Sequence, residues 1–190
     1  MSTLQVGTIN TGNPAVTVAP GVQFNYAGRV VQMFTNRVDE RTTYYSSNTG
    51  NGTTIAELAL SIKPQYSTSL LWMQWMINHE ADHDNVFLIH QNGSLITTAG
   101  YEGYNANAGN SRWSGVASTY YDRDYSSTPS NVYLQYAILA SSTASRNYAP
   151  AVRSSNSNNY VFCLNRPVGS RGASGNEVTV STGIIMEIQQ

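Results

Sequence analysis

The stretch "SLLWMQWMI", residues 69–77, decides the fold, because its side chains alternate with a period of two. One face of the predicted strand carries Leu71, Met73, Trp75 and Ile77, and the other carries Leu70, Trp72, Gln74 and Met76. Both faces are largely apolar, which a strand in an isolated two-layer sandwich does not require. Two explanations stay open. Either a loop covers the outer face, or that face meets another subunit, with Trp72, Gln74 and Met76 at the interface.

The same period recurs along the chain. Apolar side chains alternate in three further places: Leu58, Leu60 and Ile62; Val132, Leu134, Tyr136 and Ile138; and Val178, Val180, Ile184, Met186 and Ile188. Asn92 and Gly93, between "VFLIH" and "SLITT", form the clearest hairpin signal. With Gly- and Asn-rich turns between these segments, the sequence predicts an all-β antiparallel sandwich of about eight or more strands.

The composition favours one domain with a neutral, polar surface. Of the 190 residues, 41% are hydrophobic, which suffices for one core, and only 11% are charged. A net charge of -1 and a single lysine argue against nucleic acid and membrane surfaces as partners. The one cysteine, Cys163, excludes an intrachain disulfide and is expected to be buried in a strand. The sequence lacks a secretion signal, so we expect assembly in a cytoplasm.

Residues 1–21 are predicted to form an arm distinct from the sandwich domain at residues 22–190. The segment "STLQVGTI", residues 2–9, is strand-like, but "NTGNP" and "VAPG" separate it from the body. Leu4, Val6 and Ile9 are its expected docking residues. We predict that this arm lies against another chain rather than in the core.

The segment "NHEADHDN", residues 78–85, contains the HExxH pattern of zinc metalloproteases in His79, Glu80 and His83. That chemistry needs a helix, on which residues four apart share a face, so that two histidines bind zinc while the glutamate polarises the metal-bound water. The hairpin that follows and the Asp and Asn content of "EADHDN" favour a connection between two strands instead. We therefore expect a solvated loop here.

The sequence contains only weak indications of other kinds of functional site. Calcium ligands could come from two sets, which are Glu80, Asp82, Asp84 and Asn85, and Asp122 with Asp124. Neither set has the spacing of an EF-hand. The sequence contains no GxSxG nucleophile elbow and no phosphate-binding glycine loop. It predicts a protein that is not an enzyme and needs no metal or cofactor.

Tyrosine-rich loops are the predicted contact surfaces. Tyrosine combines apolar area with a hydroxyl at low entropic cost, although it is also a common strand residue. The candidates are Tyr44, Tyr45, Tyr101, Tyr104, Tyr120, Tyr121 and Tyr125.

The succession "SLLWMQWMIN", "NVFLIHQNGSLI", "NVYLQYAILAS", "YVFCLNRP" and "VTVSTGIIMEI" resembles jelly-roll modules in virion proteins of tailed phages, particularly aquatic ones. The opening "STLQVGTI" is similar to the N-terminal strand of cyanophage fibre and appendage proteins. The likeness covers nearly the whole chain, with "QNG" in place of "RNG" before the hairpin return, and the closing "MEI" is its most specific element.

The resemblance implies a jelly roll like that of tumour necrosis factor, usually a homotrimer about a three-fold axis, with a structural role. One face of residues 69–77 would fill the sandwich and the other would meet neighbouring subunits. The resemblance favours capsid decoration or a head fibre on the virion surface, assembled in the host cytoplasm. The alternatives are a tail-fibre or tail-appendage tip that binds a host receptor or glycan and, more remotely, the zinc metalloprotease.

Overall fold

The computed structural model describes residues 27–46, 51–96, 115–120, 128–154, 160–169 and 177–190, and these form two antiparallel β-sheets. The strands are β1 (Val30–Val38), β2 (Thr43–Ser46), β3 (Thr53–Thr54), β4 (Leu60–Ile62), β5 (Leu70–Ala81), β6 (Asn85–Gln91), β7 (Ser94–Leu95), β8 (Ala117–Thr119), β9 (Ser130–Leu139), β10 (Arg146–Ser154), β11 (Tyr160–Leu164) and β12 (Ser181–Ile188). A short 3-10 turn spans Ala56–Leu58. The all-β prediction is confirmed for this part of the chain, in which no helix is long and apolar enough to cross a membrane.

The first sheet is built on β5, which pairs along both of its edges. On one edge, β9 pairs with residues 70–79. On the other edge, β12 pairs with residues 70–76 and β11 with residues 79–81. Outside these strands, β1 pairs with β12 and β2 pairs with β11. The long apolar strand is therefore the centre of its sheet.

The second sheet is built on β10 and β6, which pair with each other. The other edge of β10 takes β3 and β4, and the other edge of β6 takes β7 and β8. Asn92 and Gly93 join β6 to β7 with φ angles of 51° and 78°, the left-handed values that a two-residue hairpin turn requires. The predicted hairpin is confirmed.

The main core lies between the two sheets and is centred on β5. Its inward residues Leu71, Met73, Trp75 and Ile77 are fully buried, as the alternation predicted. The Trp75 Nε1 donates a hydrogen bond to the carbonyl of Leu58 at 2.9 Å. Leu58 is buried together with Leu60 and Ile62, but it belongs to the 3-10 turn, so the prediction that it shares their strand was wrong.

The last strand turns most of its apolar side chains away from the core. In β12 the buried residues are Ser181, Gly183, Ile185 and Glu187, while Ile184, Met186 and Ile188 are half-buried on the opposite face. A Cβ on Gly183 would lie 2.8 Å from Cδ1 of Trp75, so only glycine leaves room for that ring. Val178 and Val180 precede β12, so the predicted strand began too early.

Candidate interaction surface on the first sheet

Residues 79–83 lie on a strand and a turn instead of a helix. Strand β5 continues through Ala81, and only residues 82–84 connect it to β6. His79 points into the core and stacks on Phe162 with ring centroids 5.0 Å apart, whereas His83 lies 4.6 Å from the ring of Tyr160. The two histidines therefore do not share the face that a zinc protease site needs.

The solvated loop expected around His79 was wrong. His79 and Glu80 are only 1% and 4% exposed. The Nδ1 of His79 lies 3.4 Å from the Ile77 carbonyl and its Nε2 lies 3.2 Å from the Thr119 hydroxyl. A neutral imidazole suits this pair, with Nδ1 donating to the carbonyl and Nε2 accepting from the hydroxyl. Burial lowers the pKa of His79 to about 4, against a small opposing effect of the hydrogen bond to Ile77.

Glu80 points to the opposite face of β5, and residues 165–169 cover it there. Its carboxylate accepts a hydrogen bond from the N–H of Val168. Val168 packs with Val161 and Cys163 into a small buried cluster, so Cys163 is buried in a strand as predicted. The chain itself thus closes this half of the outer face of the first sheet.

Asn165, which the sequence analysis did not identify, holds the covering segment in place. Its amide Nδ2 donates to the carbonyls of Val38 and Glu40, each at 2.9 Å. Its Oδ1 accepts from the Ser181 hydroxyl at 2.6 Å, and its own N–H donates to the Asn78 carbonyl. The fully buried side chain of Asn165 therefore joins segments from the beginning and the end of the described chain, and its backbone N–H adds the middle segment.

The remaining metal candidates are not gathered into a site. Asp82 and Asp84 occupy the turn after β5. Within the described ranges, no three His, Cys, Asp or Glu side chains are close enough together to hold a metal ion. Asp122 and Asp124 lie outside the described residues.

The other half of this outer face, across residues 70–76, is apolar and partly exposed. Four strands lie side by side here in the order β1, β12, β5, β9. We call the outward apolar side chains of these strands the outer apolar face, and they are Met33, Leu70, Trp72, Met76, Tyr133, Ala137, Leu139, Ile184, Met186 and Ile188. Trp72, Gln74 and Met76, the predicted interface residues, lie in its middle.

The outer apolar face carries almost no charge. Between its apolar residues lie Thr35, Gln74, Gln135 and Thr182, and Arg37 at the border pairs with Asp39 at 2.9 Å. Four strands about 4.8 Å apart and seven residues long, at about 3.3 Å per residue, span roughly 450 Å². The largest apolar patch of a typical monomeric protein covers about 300–600 Å² and is often functional, so this face is a candidate contact site.

Sequence analysis found only one strand of this surface. The signal for the rest was present in the positions that alternate with the buried ones, such as Tyr133 and Leu139 in β9, which are 55% and 57% exposed. Periodicity identifies two faces of a strand but does not say that four outward faces lie next to one another.

The tyrosine candidates fall into two groups. Tyr44 and Tyr45 lie in β2, so the expectation that they form a loop was wrong. Tyr44 is half-buried against Phe162, with ring centroids 6.3 Å apart, whereas Tyr45 is exposed. Tyr120 directly follows β8 and is 82% exposed. Tyr101, Tyr104, Tyr121 and Tyr125 lie outside the described residues, as do Leu4, Val6 and Ile9 of the predicted arm.

The chain matches no protein-family model and none of the curated proteins.

Proposed function

We propose that this chain is a non-enzymatic structural protein of a tailed-phage virion, a homotrimeric jelly roll on the particle surface that decorates the capsid or forms a head fibre. Its partners are two further copies of itself and the phage capsid proteins. The outer apolar face is the observation that carries the proposal, because an apolar face of this size is often a contact site and this one has almost no charge.

The strand pairing supports a jelly roll. From the outside inward, β1 pairs with β12, β2 with β11, β4 with β10, β5 with β9, and β6 with β7 and β8. The chain is thus one long antiparallel hairpin of nested pairs. The pairs of β1, β2 and β5 belong to the first sheet, and those of β4 and β6 belong to the second. Winding such a hairpin into two facing sheets produces a jelly roll.

A second copy of the chain suits the outer apolar face better than a charged partner does. Aromatic residues and methionine are enriched in the buried centres of protein interfaces, where charges are depleted. In a ring of three the contact is head-to-tail, so the outer apolar face of one chain packs against a different surface of the next. With an equal area covered on the neighbour, one such contact involves roughly 900 Å² of flat area, close to the lower limit of about 1,000 Å² for a specific interface, and each chain takes part in two.

Light scattering after size-exclusion chromatography tests the trimer. We expect a mass three times the 20.7 kDa of the chain. The variant Met76→Glu places a charge at a 41% exposed position of the outer apolar face and should yield monomers. Met76→Gln, which is similar in size but neutral, should weaken the trimer far less. Tyr120→Glu, at the 82% exposed position beside the second sheet, should leave it intact.

A monomer at micromolar concentration, or a Met76→Glu trimer as stable as the wild type, would contradict this interface. Circular dichroism of each variant must show the same β content, so that a lost trimer is not simply a lost fold.

The number of copies of this protein per virion tests whether it lies on the capsid or on the tail. In purified virions, a decoration protein should be present at a simple ratio to the major capsid protein, measured by quantitative gel. A few copies per particle would move the assignment to the tail.

Exposed tyrosines favour the second candidate, a tail-fibre or tail-appendage tip that binds a host receptor or glycan. Tyr45 and Tyr120 are 64% and 82% exposed, and tyrosine is common on surfaces that bind proteins and sugars. If the purified protein neither binds host cells nor competes with infection, this candidate loses its support.

A further inference from the structure

A cavity of about 330 Å³ lies between the turn that joins β6 to β7 and the loop that joins β9 to β10. Its wall includes Leu139, the loop residues Ser141, Ser142 and Ser145, and Arg146 at the start of β10. Three serines beside one arginine make this wall polar, while Leu139 adds an apolar side.

Arg146 is the feature that makes this cavity chemically distinct. Only 9% of Arg146 is exposed. Its guanidinium donates to the carbonyls of Ala140, Ser142 and Ala144 at 2.5, 2.9 and 3.3 Å, and to the Ser142 hydroxyl at 2.5 Å. A guanidinium has five N–H donors; these bonds use four, and the guanidinium also contacts the hydroxyl of Tyr148.

The charge of Arg146 lacks an anionic partner among the described residues, since none of their carboxylates forms an ion pair with it. The neighbouring Tyr148 does not supply one, because burial raises the pKa of its hydroxyl by more than the nearby Arg146 lowers it. Buried arginines are normally paired with an anion, because carbonyl dipoles alone offset only part of the cost of desolvation. The site therefore has a positive charge that an anionic ligand can offset.

We infer that this cavity binds a small carboxylate ligand with the dimensions of one acidic sugar, whose carboxylate pairs with Arg146. The serine hydroxyls would bond the hydroxyls of such a sugar, and Leu139 would contact the apolar side of its ring. The volume is at the lower end of the range of about 300–1,000 Å³ that ligand sites occupy. The site shares Leu139 with the outer apolar face, but Arg146 and the three serines that define it lie outside that face, so binding can be tested apart from the proposed virion role.

Amide NMR spectra of the full ¹⁵N-labelled chain test the site. Sodium glucuronate, acetate and glucose should be titrated separately at constant ionic strength. We expect glucuronate to shift the resonances of residues 139–146 and to saturate with a millimolar dissociation constant. Glucose has the same ring without the charge and should bind at least about ten-fold more weakly, a difference of about 1.4 kcal/mol.

Acetate distinguishes a site for an acidic sugar from a site for any small carboxylate. Weaker binding of acetate than of glucuronate supports a sugar site. Equal binding overturns the sugar assignment and assigns the site to simple carboxylates. Glucose that binds as tightly as glucuronate overturns the role of the charge, and the absence of shifts from both acids at about 50 mM overturns the site altogether.

A matched pair of variants tests the location. Ala144 is exposed, lines the cavity and contributes only its carbonyl to Arg146. Ala144→Glu places a carboxylate beside Arg146 and should weaken glucuronate binding at least about ten-fold, whereas Ala144→Gln should keep it within about two-fold. Equal affinities in the two variants would contradict the assignment of Arg146, and unchanged resonances in the two sheets would show that both variants fold.

Discussion

Replacing Asn165 by alanine should destabilise the whole sandwich. The side chain is fully buried and makes three hydrogen bonds, of which those to the Val38 carbonyl and the Ser181 hydroxyl are buried. Alanine removes the acceptor of the Ser181 O–H and a donor to the Val38 carbonyl, at a cost of about 1–2 kcal/mol each, although the Ser181 oxygen still accepts from the Asn78 N–H. Asn165 also has a φ of 58°, at which alanine costs about 1 kcal/mol more than asparagine. We expect a total loss of about 3–5 kcal/mol in the free energy of unfolding.

The assay is urea unfolding at pH 7 and one fixed protein concentration, followed by tryptophan fluorescence. Asn165→Gly removes the same hydrogen bonds but tolerates the left-handed φ, so it should be more stable than Asn165→Ala by about 1 kcal/mol. Asn131→Ala, at an exposed position in β9, is the control and should change stability by less than about 0.5 kcal/mol. An Asn165→Ala variant that loses less than about 1 kcal/mol would refute the role of this side chain as a link between segments.

Three further substitutions follow from buried contacts. Gly183→Ala puts a Cβ 2.8 Å from the Trp75 ring and 3.2 Å from Leu60, so it should cost about 1–3 kcal/mol and shift the tryptophan emission; an unchanged urea midpoint would contradict this. The pKa of His79 is about 4 in the folded state and 6.5 in the unfolded state. Its contribution to the free energy of unfolding is therefore complete above pH 6.5, and this free energy falls by about 3 kcal/mol as the pH drops to 4. His79→Phe should remove that part of the acid sensitivity, which equilibrium unfolding at several pH values would reveal. Burial raises the pKa of Glu187. The hydrogen bonds that its carboxylate accepts from the N–H groups of Gln65 and Tyr66 and from Gln32 lower the pKa by more, so the net shift is downward. Glu187→Gln should therefore lower the free energy of unfolding at pH 7. The difference in this free energy between variant and wild type should narrow as the pH falls below the ordinary glutamate pKa of 4.5. A difference that does not change with pH would contradict the role of these hydrogen bonds.

The fold class could be predicted because the strongest signals were local. Alternation in β5 and β9 requires only neighbouring residues, and the turn at Asn92 and Gly93 requires only two. The end of β5 could not be predicted in this way. Glu80 is polar and suggests a loop, yet it is buried because Val168, 88 residues later, donates its N–H to it.

The candidate surface was predictable only in part, for the same reason. The two apolar faces of β5 predicted that something lies against its outer side. Of the two explanations left open, cover by the chain itself applies near Glu80, where residues 165–169 lie over the strand. No described loop covers the half near Trp72, and the subunit contact there stays a prediction. Which side chains of β12 point inward depends on two contacts between distant parts of the chain. Gly183 packs against the Trp75 ring, and the Glu187 carboxylate accepts a hydrogen bond from the Gln65 N–H.

The position of β12 constrains how this protein can fold during synthesis. Strand β12 lies between β1 and β5, and β1 is joined to the first sheet through it. The bond between Gln32 and Glu187 spans 155 residues. A ribosome therefore completes every other strand before the one that connects them, and the first sheet cannot close until residue 188 has been made. Contacts of such long range fold slowly, and the apolar strand edges stay open to aggregation meanwhile. Removal of residues 181–188 would thus detach β1 as well, rather than shorten the sheet by one strand.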